Sequence, residues 1–164
     1  ALSLAPDIDL LIAGEFWDER VTYERKIEAL KLQNRVEILE GYIPVERFDD
    51  LFGTVDALVL PYRRGSGSIV RELGFSHGLP VIATDVGSIA DGIEPGKSGE
   101  VIPPEDVPAL AAALQKLADQ STLGKWKRNV KRRADDNLQK WDRYCQAILA
   151  LPTQTTAARG TPDS

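Results

Sequence analysis

Gly65, Ser66, Gly67 and Ser68 lie between a short apolar run ending at Leu60 and a segment with helical spacing, and Arg63 and Arg64 stand just before them. Where a strand gives way to a helix, the first backbone N–H groups lack intrahelical acceptors, and the helix dipole favours negative charge. Small residues let a phosphate come close to such a backbone. Guanidinium groups match phosphate oxygens. The chemistry expected here is therefore capture of a phosphorylated ligand, with Arg64, Gly65, Ser66, Gly67, Ser68 and Ile69 as the candidate holders. The alternative is a plain strand-to-helix turn with Ser68 as N-cap and solvated arginines. No third glycine completes a dinucleotide fingerprint, and no Gly-Lys-Ser/Thr follows as in a P-loop.

The elements that must position this loop read from hydrophobic patterning. Apolar runs at 8–13, 36–39, 57–60, 80–83 and 101–102 predict five strands, most of them continuous rather than alternating. Helices are expected over 20–32, 45–52 and the segment after Ser68. Further helices are expected from Glu105-Asp106, over 123–134 and over 138–149. Alternating strands and helices predict an α/β fold, a Rossmann-like, doubly wound parallel sheet covered on both faces. One domain is expected over 1–151, incomplete at its N-terminus, and a disordered tail over 152–164.

The 164 residues carry a net charge of −5, which argues against nucleic acid as a partner. The single cysteine, Cys145, fits a reducing compartment and hence a cytoplasmic location. Its neighbours Trp141 and Leu149, four residues either side, give it a packing role. No run is long and apolar enough for a membrane span. Met is absent, so residue 1 is expected to be a processed boundary. His77 stands alone before Gly78, and a structural role at a helix end is expected for it rather than metal binding. Lys125, Lys127, Arg128, Lys131, Arg132 and Arg133 form a basic cluster. It reads as a solvated helix face, with peripheral contact to anionic lipid or to a polyanionic acceptor as the functional alternative.

The segments Leu10-Leu-Ile-Ala-Gly14, Arg35-Val-Glu-Ile-Leu-Glu-Gly41 and Asp56-Ala-Leu-Val-Leu-Pro-Tyr62 are followed in register by Gly78-Leu-Pro-Val-Ile-Ala-Thr-Asp-Val-Gly87 and Gly99-Glu-Val-Ile-Pro103. In this order they resemble the C-terminal, donor-binding domain of the family-4 retaining glycosyltransferases, which have the GT-B fold (glycosyl transferases group 1). The resemblance implies half of a GT-B fold that binds a UDP- or GDP-linked sugar, with no other cofactor and no metal. Glu40, Gly41, Tyr42 and Ile43 match the loop that lies against the nucleobase, and residues 64–69 match the loop that holds diphosphate and sugar. Gly87-Ser88 and Asp91 fall where the family often has a Gly-Gly pair followed by Glu.

The pattern also departs from the family. The usual pair of glutamates would fall on Gly65 and Leu73, and neither is acidic. Glu72 is one residue off, about 100° round the helix, and stands as a shifted ribose or sugar contact or as an exposed helix charge. The domain's first strand, with its phosphate-gripping Arg and Lys, would precede Ala1, as would the N-terminal Rossmann-like partner domain. The resemblance thus implies transfer of a hexose, with retention, to a glycan, lipid or small-molecule acceptor by a larger protein, and an inactive chain in isolation. A non-catalytic Rossmann-like interaction module is the alternative. Epimerases with the GT-B fold are a further one, which needs more acidic and His residues in the cleft.

Overall fold

The computed structural model describes residues 1–16 and 19–149. The expected tail over 152–164 lies outside them. Two apolar runs form β1 (Leu10–Gly14) and β2 (Val36–Glu40), parallel, with Leu10 opposite Val36 and Gly14 opposite Glu40. Between them runs α1 (Arg20–Ala29). In β2 half-buried Val36 and Ile38 alternate with exposed Glu37 and Leu39, the pattern of an edge strand solvated on one face.

A second parallel sheet has the order β3 (Leu58–Leu60), β4 (Val81–Thr84), β5 (Gly99–Ile102). A 3-10 turn at Val45–Arg47 and then α2 (Phe48–Gly53) lead into β3; a single helix over 45–52 is expected from the sequence. The crossover α3 (Ile69–Ser76) joins β3 to β4. After β5 comes α4 (Val107–Ala118), capped by the Asp106 carboxylate, which accepts from the Ala109 amide at 2.8 Å.

The α/β, Rossmann-like architecture is the expected one, with its parallel pairing in two pieces. In doubly wound sheets of order 3-2-1-4-5-6 the first strand lies between the second and the fourth. Reading β1 to β5 as strands 2 to 6 reproduces both observed pairings, and puts the first strand's place between β1 and β3.

The two helices expected over 123–134 and 138–149 are one, α5 (Gln120–Leu149). Ala134, Asp135, Asp136, Asn137 and Leu138 contain neither Pro nor Gly to interrupt the i→i−4 ladder. The molecule divides into two units within this helix, Ala1–Ala134 and Asp135–Ser164.

In the first unit β4 is buried throughout. Ile82 joins Leu114, Leu117, Leu123 and Trp126 in one cluster, while Val81 and Ala83 join Phe75, Ile89 and Val130 in another. Successive side chains of a strand point to opposite faces, so β4 is covered on both, as its unbroken Val-Ile-Ala run requires. Arg35, half-buried, donates to the carbonyls of Ala5 and Ile8 and ties the first residues to the turn before β2.

Candidate functional site

All strands within each sheet run parallel, so their connecting loops leave from the carboxyl ends. The loop after β3 is anchored at its start by Thr84, 2% exposed, whose hydroxyl donates to the Tyr62 carbonyl at 2.7 Å. Farther along, the Ser66 carbonyl accepts from both the Ser88 amide at 3.0 Å and the Ser88 hydroxyl at 2.5 Å. The loop after β4 is thereby clamped to the loop after β3.

That clamp explains the small residues without any ligand. A Cβ on Gly65 would fall 2.7 Å from Ile89 Cδ1, one on Gly67 would fall 3.0 Å from Ser88 Oγ, and one on Gly87 would collide with the Gly65 carbonyl. Gly87 also has φ +53, a left-handed conformation that disfavours side chains. The glycines thus let two loops meet.

What the clamp leaves over is a row of donors. Among the described residues, the amides of Gly65, Ser66, Gly67, Ser68 and Ile69 have no internal acceptor. Ser68 occupies the N-cap position of α3, but its hydroxyl makes no capping bond and is buried without a hydrogen-bond partner. Arg64 is exposed, and no ion pair holds it among the described residues, whereas Arg63 pairs with Glu105 at 3.1 Å. Glu72 is solvent-facing, and its carboxylate accepts from the Arg71 guanidinium.

Residues 40–43 build a separate cluster. β1 ends on Gly14 and β2 is followed by Gly41, both of positive φ, with the Gly41 amide donating to the Gly14 carbonyl at 3.1 Å. The Glu40 carboxylate accepts from Arg20 at 2.7 Å, and Glu40 with Glu24 keeps Arg20 more firmly charged. Tyr42 is 77% exposed. A concavity of about 340 Å³ is lined by Glu40, Tyr42, Ile43 and Pro44 with Arg47, Asp50 and Leu51 from the turn and α2. A second, of about 350 Å³, is lined by Glu15, Phe16, Glu40 and Gly41. Among the described residues no hydrogen bond or ion pair links this cluster to loop 64–69.

Sequence reasoning missed Arg71. It lies on the same face of α3 as Gly74 and Phe75, the other residues of that helix that are buried. Its guanidinium donates to the carbonyls of Ser88 and of Ile89, the latter at 3.0 Å. A charged residue at helical spacing from a core phenylalanine was the available signal.

His77 has the expected structural role. Its Nδ1 lies 2.6 Å from the Leu73 carbonyl and its Nε2 2.7 Å from the Asp49 carboxylate, an arrangement that raises its pKa, chiefly through the Leu73 carbonyl and then through Asp49. Among the described residues no three His, Cys, Asp or Glu side chains gather as a metal site, and no helix is long and apolar enough to cross a membrane. The basic cluster is partly committed inside the first unit. Lys127 pairs with Asp56, while Arg133 donates to the Gly92 carbonyl and lies 5.5 Å over the Phe75 ring.

A family model described as "Glycosyl transferases group 1" matches residues 1–135. Alpha-D-kanosaminyltransferase of Streptomyces kanamyceticus is 32% identical over 117 residues, which span 71% of this chain and 30% of that protein. Among solved structures, sucrose-phosphate synthase of Thermosynechococcus elongatus superposes with a TM-score of 0.68 at 25% identity, covering 92% of this chain and 42% of that one. The Anabaena protein HepE, solved in complex with UDP, gives a TM-score of 0.70 at 18% identity, covering 91% and 43%. The chain thus spans less than half the length of these proteins.

Proposed function

This chain belongs to the group 1 glycosyl transferases, with the GT-B type of fold, and from that membership we propose that it forms the donor-binding half of a retaining hexosyltransferase. The donor is a sugar linked to UDP or GDP, and the acceptor is a glycan, a lipid or a small molecule. One observation carries the reading. Five successive loop amides and the Ser68 hydroxyl, at the start of α3, are left without acceptors among the described residues. Amides at a helix N-terminus, fixed by a rigid clamp, favour a diphosphate and the negative charge that grows on it as the sugar leaves. Arg64 adds a mobile cation on the solvent side. The UDP bound by the similarly folded HepE protein supports the same class of ligand.

In this reading the backbone of residues 40–43 meets the base, and the concavity beside Tyr42 and Ile43 receives it. The partner domain supplies the acceptor side, and the protein works in the cytoplasm. Titration with UDP and GDP at millimolar concentration, followed by thermal unfolding, tests this directly. A ligand of the folded state raises the melting temperature by mass action. Arg64→Ala weakens the better nucleotide about five- to tenfold, the worth of one charge-assisted contact. No shift with either nucleotide overturns the reading and leaves an interaction module.

A further inference from the structure

We propose that Arg71 is a positioning residue that aims the loop amides at the diphosphate, an inference that rests on the donor-binding reading. Arg71 is 8% exposed, on a helix face that otherwise buries Gly74 and Phe75. A guanidinium withdrawn from water is costly unless its N–H groups find acceptors. Here the two terminal nitrogens find the carbonyls of Ser88 and Ile89, on a different loop, and the carboxylate of Glu72, while Nε is buried without a partner among the described residues. An apolar side chain would fill the same volume without a hydrogen bond to that loop's carbonyls.

The connection continues. The Ile89 side chain is fully buried beside Phe75, so the carbonyls that Arg71 grips belong to a fixed segment. From that segment Ser88 directs both its amide and its hydroxyl at the Ser66 carbonyl. A trans peptide is planar, with its C=O and N–H antiparallel. Holding the Ser66 carbonyl towards Ser88 therefore turns the Gly67 N–H the opposite way, out of the clamp. Thr84 does the same four peptides upstream, since its bond to the Tyr62 carbonyl turns the Arg63 N–H away. Arg71 thus acts through Ser88 and Ser66, and touches no ligand itself.

The test compares UDP with uridine, which lacks the diphosphate, on the full chain and on Arg71→Met, Arg71→Lys and Ser88→Ala. Affinity is followed by NMR titration, and amide hydrogen exchange at Ser88 reports the clamp. The expected result is about a tenfold loss of UDP affinity in Arg71→Met with uridine unchanged, together with faster exchange at Ser88. Ser88→Ala gives the same selective loss. Should Arg71→Met fail to fold, Arg71→Lys keeps charge and length but not the fork, and the same selective loss is expected of it. Equal losses for UDP and uridine, or no loss in a folded variant, overturn the role of Arg71 alone. A wild-type chain that binds neither UDP nor GDP overturns the donor reading and this inference with it.

Discussion

Glycine at 65, 67 and 87 illustrates how one residue type can satisfy packing and chemistry together. The approach of loop 87–89 to loop 65–67 excludes a Cβ at 87 and admits one at 65 or 67 only if the Ile89 or Ser88 side chain shifts, and the same approach holds the peptide planes that present the amides. Gly87→Ala combines a collision with the Gly65 carbonyl and a left-handed φ. It is expected to lower unfolding free energy by about 1–3 kcal/mol in urea titration. Thr84→Val keeps the shape of a buried side chain but strips the hydroxyl from the Tyr62 carbonyl. A loss of about 1 kcal/mol is expected by the same measurement, with UDP affinity falling as well because the loop loses its upstream anchor.

Helices α2 and α3 are coupled through His77 at the end of α3 and Asp49 in the first turn of α2, with the His77 ring edge-on to Phe52 at 5.0 Å. Both ring nitrogens face oxygen acceptors, so the doubly protonated imidazolium suits the folded state best. Its folded pKa is raised above the unfolded value of about 6.5. The stabilisation is therefore complete below pH ~6.5 and is lost as pH climbs through the folded pKa. Chemical denaturation between about pH 6 and pH 9 is expected to show falling stability, and His77→Gln to flatten that slope. The sign is opposite for Asp119, whose carboxylate accepts from Thr122 near the start of α5 and has a lowered pKa. Its contribution is present above the unfolded carboxylate pKa and disappears on acidification through the folded one. Asp106→Ala removes the α4 cap and is expected to cost about 1 kcal/mol in thermal unfolding.

At the scale of the first unit, the two-part sheet leaves β1 and β3 each with one unpaired edge among the described residues. Along a parallel strand alternate amides face opposite neighbours. The Leu10 amide reaches Arg35 and the Leu58 amide reaches Pro80, so the amides of Leu11, Ala13 and Val59 point to the other edges. Hydrogen exchange is expected to be far faster at these three than at Val81 and Ala83, inside the three-stranded sheet. Protection of Val59 equal to that of Ala83 would show that something pairs with this edge. Burial follows the same division: β4 is buried throughout, while no residue of β1 is, although both are continuous apolar runs.

Strand and helix order, the parallel α/β class and the loop at residues 64–69 were legible in the amino-acid sequence, because period, turn residues and caps are local signals. Helix ends over 20–32 and 45–52 were placed less well, since fraying and 3-10 turns leave little trace in composition. The single long α5 was open to reading from the lack of Pro and Gly over residues 134–138, but the change of side-chain character along the chain mimicked a break. Only tertiary structure showed why residues 65, 67 and 87 are glycine, because that depends on two loops some twenty residues apart meeting face to face. It alone revealed that Arg71 is turned inward to carbonyls of another loop, since a helical arginine has no local preference for burial. Chain pattern decides which amides stand at a helix start; the fold decides where they point, because a peptide plane is held by whatever grips its carbonyl.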